Sequence, residues 1–230
     1  MTTSQRVVIA ALAAAGVWLI IDRGVLGQDQ ILFFAALFPS IILHEVSHGW
    51  AALRFGDDTA KRAGRLTLNP LNHIDPWGSV LLPALLILTT GAAFGYAKPV
   101  PVNPRRMRSP RNHGLLTALA GPATNIVLAV AAAVVLRLLP VPDPTAPSLV
   151  VRFVEWVGLA NVILAVFNLI PIPPLDGSAV IERVLPARLW PGYLRLRQYS
   201  MGLILLVVFV FPGPLQSLFK AGVDLWAKLL

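Results

Sequence analysis

Cysteine is absent from the 230 residues, so the chain can form no disulfide and offers no thiolate to a metal. Any metal site must be built from His, Asp or Glu. Charge is also scarce: 13% of residues are charged against 56% hydrophobic, with a mean hydropathy of +0.71. That balance excludes an ordinary water-soluble domain of this size and points to a multi-span membrane protein. A formal charge of +8 is basic enough for a nucleic-acid binder. The Lys and Arg, however, lie in short loops beside apolar runs, so membrane topology accounts for them and no nucleic acid is expected as a partner.

Apolar segments run over about 7–21, 31–53, 78–95, 114–139, 150–172 and 199–212, divided by loops rich in Pro, Gly and charge. At roughly 20 residues per span the reading is an all-α membrane protein, a polytopic helical bundle of about 5–6 transmembrane segments. Arg6 followed by VVIAALAAAGVWLII has the layout of a signal peptide, and in a multi-spanning chain it is expected to remain as a signal-anchor. Residues 199–230 are expected to give a last span and then LQSLFKAGVDLWAKLL. There Leu215, Leu218, Phe219, Val223 and Trp226 recur at helical spacing, either along the membrane interface or packed on the bundle.

Three basic clusters orient the bundle: Arg54 to Arg65, Lys98 to Arg111, and Arg183 to Arg197. All three belong on the cytoplasmic side, and the sparsely charged loops around Asp22–Asp29 and Arg137–Arg152 belong outside. Segment 78–95 then begins and ends on one side. Either it re-enters, as a stretch of 78–102 interrupted by Pro83, Gly91 and Gly95, or it is an ordinary span with one basic loop outside.

The second segment contains PSIILHEVSHGWAAL. His44 and His48 are four residues apart, so on a helix both imidazoles leave the same face and can share a metal. Glu45, between them, matches the H-E-x-x-H pattern in which two histidines bind zinc and the glutamate takes a proton from the attacking water. Three ionisable groups inside a span are expensive, and they mark a functional site or a polar cluster holding helices together.

A catalytic zinc site usually has three protein ligands, so one more is needed. His73, Asp75, His113, Glu155, Asp176 and Glu182 are the candidates. Asp176 stands apart because it follows NLIPIPPL, where prolines break an apolar helix and open a polar environment at membrane depth. Spans 31–53 and 150–172 run in the same direction, so Asp176 can meet the histidines at similar depth.

HEVSHG, GPATN and NLIPIPPLDG, in this order, resemble the site-2 proteases, intramembrane zinc metalloproteases, and the loop GDDTAKRAGRLTLNPLNHIDPWG followed by AKPVPVNP resembles their compact bacterial branch. The resemblance spans about residues 40–185. It implies a single integral-membrane peptidase domain over 1–230 with a core of about 31–185. In that domain His44, His48 and Asp176 hold zinc and Glu45 activates water. It also implies a transmembrane-helix protein as substrate, lipid around the bundle, and a multi-pass cell-membrane location with the active site toward the cytoplasm.

Asn168, matching the Asn of the N-x-x-P-x-P-x-x-D-G pattern, would hydrogen-bond the substrate or oxyanion, or satisfy the unwound backbone at the proline break. KPVPV would clamp a substrate strand or be a surface loop, and His73 and His113 would be extra ligands, gate residues or ordinary loop histidines. Asn125 and Gly121 of GPATN suit close helix packing, with a bond from Asn125 to the motif helix as the alternative. Two other classes stay open: a membrane metal-binding or transport protein using the same ligands, and a silent scaffold for other transmembrane helices. Glu45 favours the enzyme, because neither alternative needs an acid there.

Overall fold

A computed structural model describes residues 27–75, 98–140 and 146–230. The expected segment 7–21 and nearly all of 78–102 lie outside the described residues; of the latter, 98–102 are non-helical. Helices follow in the order α1 (Gln28–Arg54), α2 (Thr59–Arg62), α3 (Pro110–Leu138), α4 (Leu149–Leu169), α5 (Ser178–Val184), α6 (Trp190–Gln198), α7 (Ser200–Phe209) and α8 (Pro212–Ala227). No strand occurs among the described residues.

Among the described residues α1, α3 and α4 are long and apolar enough to cross a membrane, and α7 with α8 would make a fourth span only with an 80° bend. The expected count of about five or six is therefore not reached in the part described. Segment 199–212 is divided by a break in the helix. Its helix α7 covers Ser200–Phe209, about 15 Å at 1.5 Å per residue, half the hydrocarbon thickness. Pro212 then pushes Phe211 out of helical conformation (φ −120°, ψ 55°), and the chain turns into α8.

The long helices pack on one another, with Ala129, Ala132 and Ala133 of α3 and Val162 of α4 at the centre. Small side chains let helix backbones approach, which matters where lipid removes the usual hydrophobic drive. The opposite face of α3 leaves Val127, Val130, Val134 and Leu138 exposed, an apolar strip suited to acyl chains. Helix α8 packs on α4 and α3 instead of standing free: Trp226 is buried in the core and its Nε1 donates to Ala129 O at 2.7 Å. Leu215 is buried too, whereas Leu218 of the expected apolar face points outward.

Ion pairs and loops set the relative direction of the helices. Arg152 near the start of α4 meets Asp29 near the start of α1 at 2.6 Å, and Trp156 Nε1 donates to the same carboxylate oxygen at 3.1 Å. At the other end Arg108 N donates to Phe55 O at 3.2 Å, and Arg183 Nε donates to Asn112 Oδ1 at 2.7 Å. Helices α1 and α4 thus run together with α3 against them, as the charge count predicts. The three basic clusters gather at one end.

Helix α4 begins at Ser148, whose Oγ accepts from Val151 N, and stops because Pro171 disfavours helical ψ at Ile170 (ψ 127°). The following turn accounts for its own backbone. Ile172 N donates to Ile170 O, Leu175 N to Ile172 O, and Gly177 N to Asn168 O at 2.7 Å. This folded-back turn carries Asp176.

Candidate metal centre

His44 and His48 lie on the buried face of α1, 6% and 8% exposed. Asp29 and Arg152 align the two parallel helices. From there His44 is about 22 Å along α1 and Asn168 about 24 Å along α4, at 1.5 Å per residue. The break in α4 therefore occurs at the depth of the histidines, and the turn after it brings Asp176 to them.

Asp176 Oδ2 is 3.1 Å from His44 Nε2 and 3.3 Å from His48 Nε2, and the two Nε2 atoms are 3.1 Å apart. Each ring is fixed from behind. His48 Nδ1 lies 2.7 Å from Thr117 O, a carbonyl that can only accept, so Nδ1 is the donor. His44 Nδ1 lies 2.5 Å from Asn125 Oδ1, and Asn125 has committed its Nδ2 to Asn161 Oδ1 at 2.7 Å, so here too Nδ1 donates. Both neutral rings consequently turn an Nε2 lone pair toward the carboxylate.

With the rings in these tautomers, three acceptors converge and no proton lies between them. Asp176 Oδ2 is accordingly a buried oxygen with no hydrogen-bond donor among the described residues. A cation resolves that conflict. Tetrahedral zinc with bonds of 2.0–2.1 Å needs ligand atoms about 3.3 Å apart, close to all three separations here. His44, His48 and Asp176 also form the one group of this kind among the described residues that could hold a metal.

The supporting network reaches through three helices. Asn161 of α4 donates its Nδ2 to Ser40 Oγ at 2.8 Å, and Ser40 Oγ donates to Ala36 O at 2.8 Å. Asn125 and Asn161 are fully buried. The helices approach closely because Gly121 faces the rings: a Cβ there would collide with His48 Nε2 and stand 2.6 Å from His44 Nε2. Of the two roles weighed for Asn125, the bond to the motif helix is made, and Gly121 explains the spacing. Asn161, Ser40 and Thr117 were not among the residues expected at the site.

Glu45 points to a different partner. Its Oε2 accepts from Val100 N at 2.8 Å, within KPVPV, which forms no strand. Asn168 donates its Nδ2 to Leu164 O at 3.0 Å and gives its carbonyl to Gly177 N, bonds that support the broken backbone. His73 is buried in the loop after α2, with Nε2 at 2.8 Å from Thr67 O, and it is not in the metal group. His113 stacks on Phe55 at 4.3 Å and accepts from Ser109 N, so it too lies elsewhere. Glu182 accepts from Tyr193 Oη and Arg197 Nη1.

The chain matches the description "Peptidase family M50" over residues 32–145 and 140–211. It is 40% identical over 201 residues to "Putative zinc metalloprotease YwhC" of Bacillus subtilis, covering 84% of this chain and 88% of that protein. It is 34% identical over 184 residues to "Putative zinc metalloprotease Rip2" of Mycolicibacterium smegmatis, covering 80% and 68%. No solved structure matches it. With matches of this extent laid over the HEVSHG, GPATN and LDG positions, the chain belongs to peptidase family M50, the site-2 proteases, and is a membrane protein.

Proposed function

We propose that the chain is a zinc-dependent endopeptidase that hydrolyses peptide bonds in or near the transmembrane helices of other membrane proteins, from a site opening toward the cytoplasm. The observation that carries this reading is the convergence of His44 Nε2, His48 Nε2 and Asp176 Oδ2, each 3.1 to 3.3 Å from the other two. The family match and the zinc metalloprotease names of the relatives support the same chemistry.

His44, His48 and Asp176 would hold the zinc, which when bound polarises the scissile carbonyl and makes water more acidic. Glu45 takes the proton of the attacking water and returns it to the departing amide nitrogen. Asn125 and the Thr117 carbonyl keep the histidine lone pairs aimed, so ligand geometry survives the change of charge during the reaction. Asn168, at the end of α4, would have to release Leu164 O to donate to the oxyanion. The site is about 15 Å along α1 from Arg54, so water enters over the shorter distance from the basic end.

The test is Glu45→Gln in purified protein, with a panel of membrane-spanning peptides. Zinc content should match wild type while cleavage falls by at least about 100-fold. Undiminished cleavage would remove Glu45 from the mechanism, and metal transport unaffected by the substitution, with no cleavage by wild type, would favour a carrier.

A further inference from the structure

Residues 98–103 cross the face of α1 that carries Glu45 as an extended strap, held at both ends. Lys98 N donates to His73 O at 2.9 Å, and Asn103 N donates to Asp57 Oδ2 at 2.6 Å. Between these anchors Arg65 Nη2 donates to Lys98 O at 2.6 Å and reaches Pro99 O at 3.4 Å. The Arg65 side chain is buried, 7% exposed, which is rare for a guanidinium; Nη2 makes both of these bonds, while the buried Nε has no acceptor among the described residues.

The strap has a particular chemistry. Pro99 and Pro101 have no N–H, so within Pro99-Val100-Pro101 the main chain offers a single donor, Val100 N, and that donor is spent on Glu45 Oε2. Val100 itself is buried against α1 where Gly49 has no side chain: a Cβ at Gly49 would stand 3.0 Å from Val100 Cγ1. Arg65, two carbonyls and one N–H therefore form a continuous rigid connection to the carboxylate.

We propose that Arg65 is a positioning residue for Glu45, acting through the 98–100 backbone so that the Val100 N–H fixes Oε2 and leaves Oε1 to receive the proton. The proposal rests on Glu45 being the general base. Without Arg65 the strap loses its central anchor, the carboxylate regains rotamer freedom, and the fraction of time it spends in the productive orientation falls. Substrate binding is untouched, because Arg65 acts on the enzyme's own backbone.

The experiment compares Arg65→Met, Arg65→Lys and Val100→Pro with wild type in the full chain, using a quenched-fluorescent membrane-spanning peptide that wild type cleaves. Arg65→Met should retain zinc and KM within about twofold while kcat falls about 10- to 100-fold, the loss associated with misplacing a reacting group by about 1 Å. Arg65→Lys, whose ammonium can still donate to Lys98 O, should recover part of kcat. Val100→Pro deletes the donor and leaves Arg65 in place, and its loss combined with Arg65→Met should be no larger than the greater single loss, since both act through one bond. Unchanged kcat in zinc-loaded Arg65→Met, a rise in KM alone, or fully multiplicative losses would overturn the proposal. Glu45→Gln serves as the separate control: if it keeps wild-type turnover, the general-base reading fails, whatever Arg65 does.

Discussion

Asn125 Oδ1 stands 2.5 Å from His44 Nδ1 and settles which ring nitrogen of His44 carries the proton. Removing this acceptor lets the ring change tautomer and turn. Asn125→Ala should weaken zinc binding by about 10- to 100-fold, in line with other partners of metal-bound histidines. Asn161→Leu, which removes only the next link, should weaken it less. Competition with a chromogenic chelator measures both, and wild-type affinity in Asn125→Ala would refute the assignment.

Gly121→Ala should abolish stoichiometric zinc binding, because the new methyl would enter the space of both imidazoles. The control is Gly192→Ala, a position where an added Cβ meets nothing within 4 Å. Metal analysis after detergent purification should separate the two variants. Equal zinc content would show that α3 can retreat from the site.

Trp226 anchors α8 in the core. Trp226→Phe keeps most of the ring and loses the bond to Ala129 O, so it should lower stability by about 1 kcal/mol. Trp226→Ala should lower it by about 3–5 kcal/mol. Unfolding in mixed micelles gives both values, and a silent Trp226→Ala would mean that α8 contributes nothing to the bundle.

Asp57 lies outside the membrane-spanning helices and fastens the strap. Burial pushes its carboxyl up, but the Thr59 hydroxyl, the Asn103 and Thr59 N–H groups and the Arg106 charge outweigh burial and hold it below the ordinary value. A carboxyl lowered on folding adds stability above its unfolded value of about 3.9, and that stability is lost as pH falls through the lower folded value. Asp57→Asn should therefore be less stable than wild type at neutral pH and lose less stability between about pH 5 and pH 2. Parallel melting curves of the two proteins across that range would contradict the assignment.

His44, His48 and Asp176, which the structure brings together, stood out in the sequence along with Glu45 because each of the four breaks a local rule. Three are ionisable groups inside an apolar run, and the fourth follows prolines that end a helix where a membrane tolerates no loose backbone. The common direction of α1 and α4 followed from the placement of Arg and Lys. Asn161 was harder to see, although it is polar within VEWVGLANVILAV and lies two turns before Asn168, on the same face of α4. Ser40 sits one turn before His44 and could have been read in the same way. Arg65 carried no such signal, since an arginine in a basic loop looks like topology until its burial is known. The 80° bend after α7 was likewise hidden, because FPGP marks a break without giving its angle.

The network from Ser40 through Asn161 and Asn125 to His44 draws on three helices made at different times. During synthesis HEVSH enters the bilayer first, and GPATN, LAN and LDG follow in order. At roughly 5–20 residues per second, Asp176 arrives on the order of ten seconds after His44. Thr117 and Asn125 follow sooner and can fix the two rings, but until Asp176 emerges the histidines have no carboxylate beside them. On the proposed function, the order of translation would leave the nascent chain without a complete metal site until the turn after α4 has emerged. Metal analysis of ribosome-bound chains stalled before and after Asp176 has emerged should find zinc only in the second.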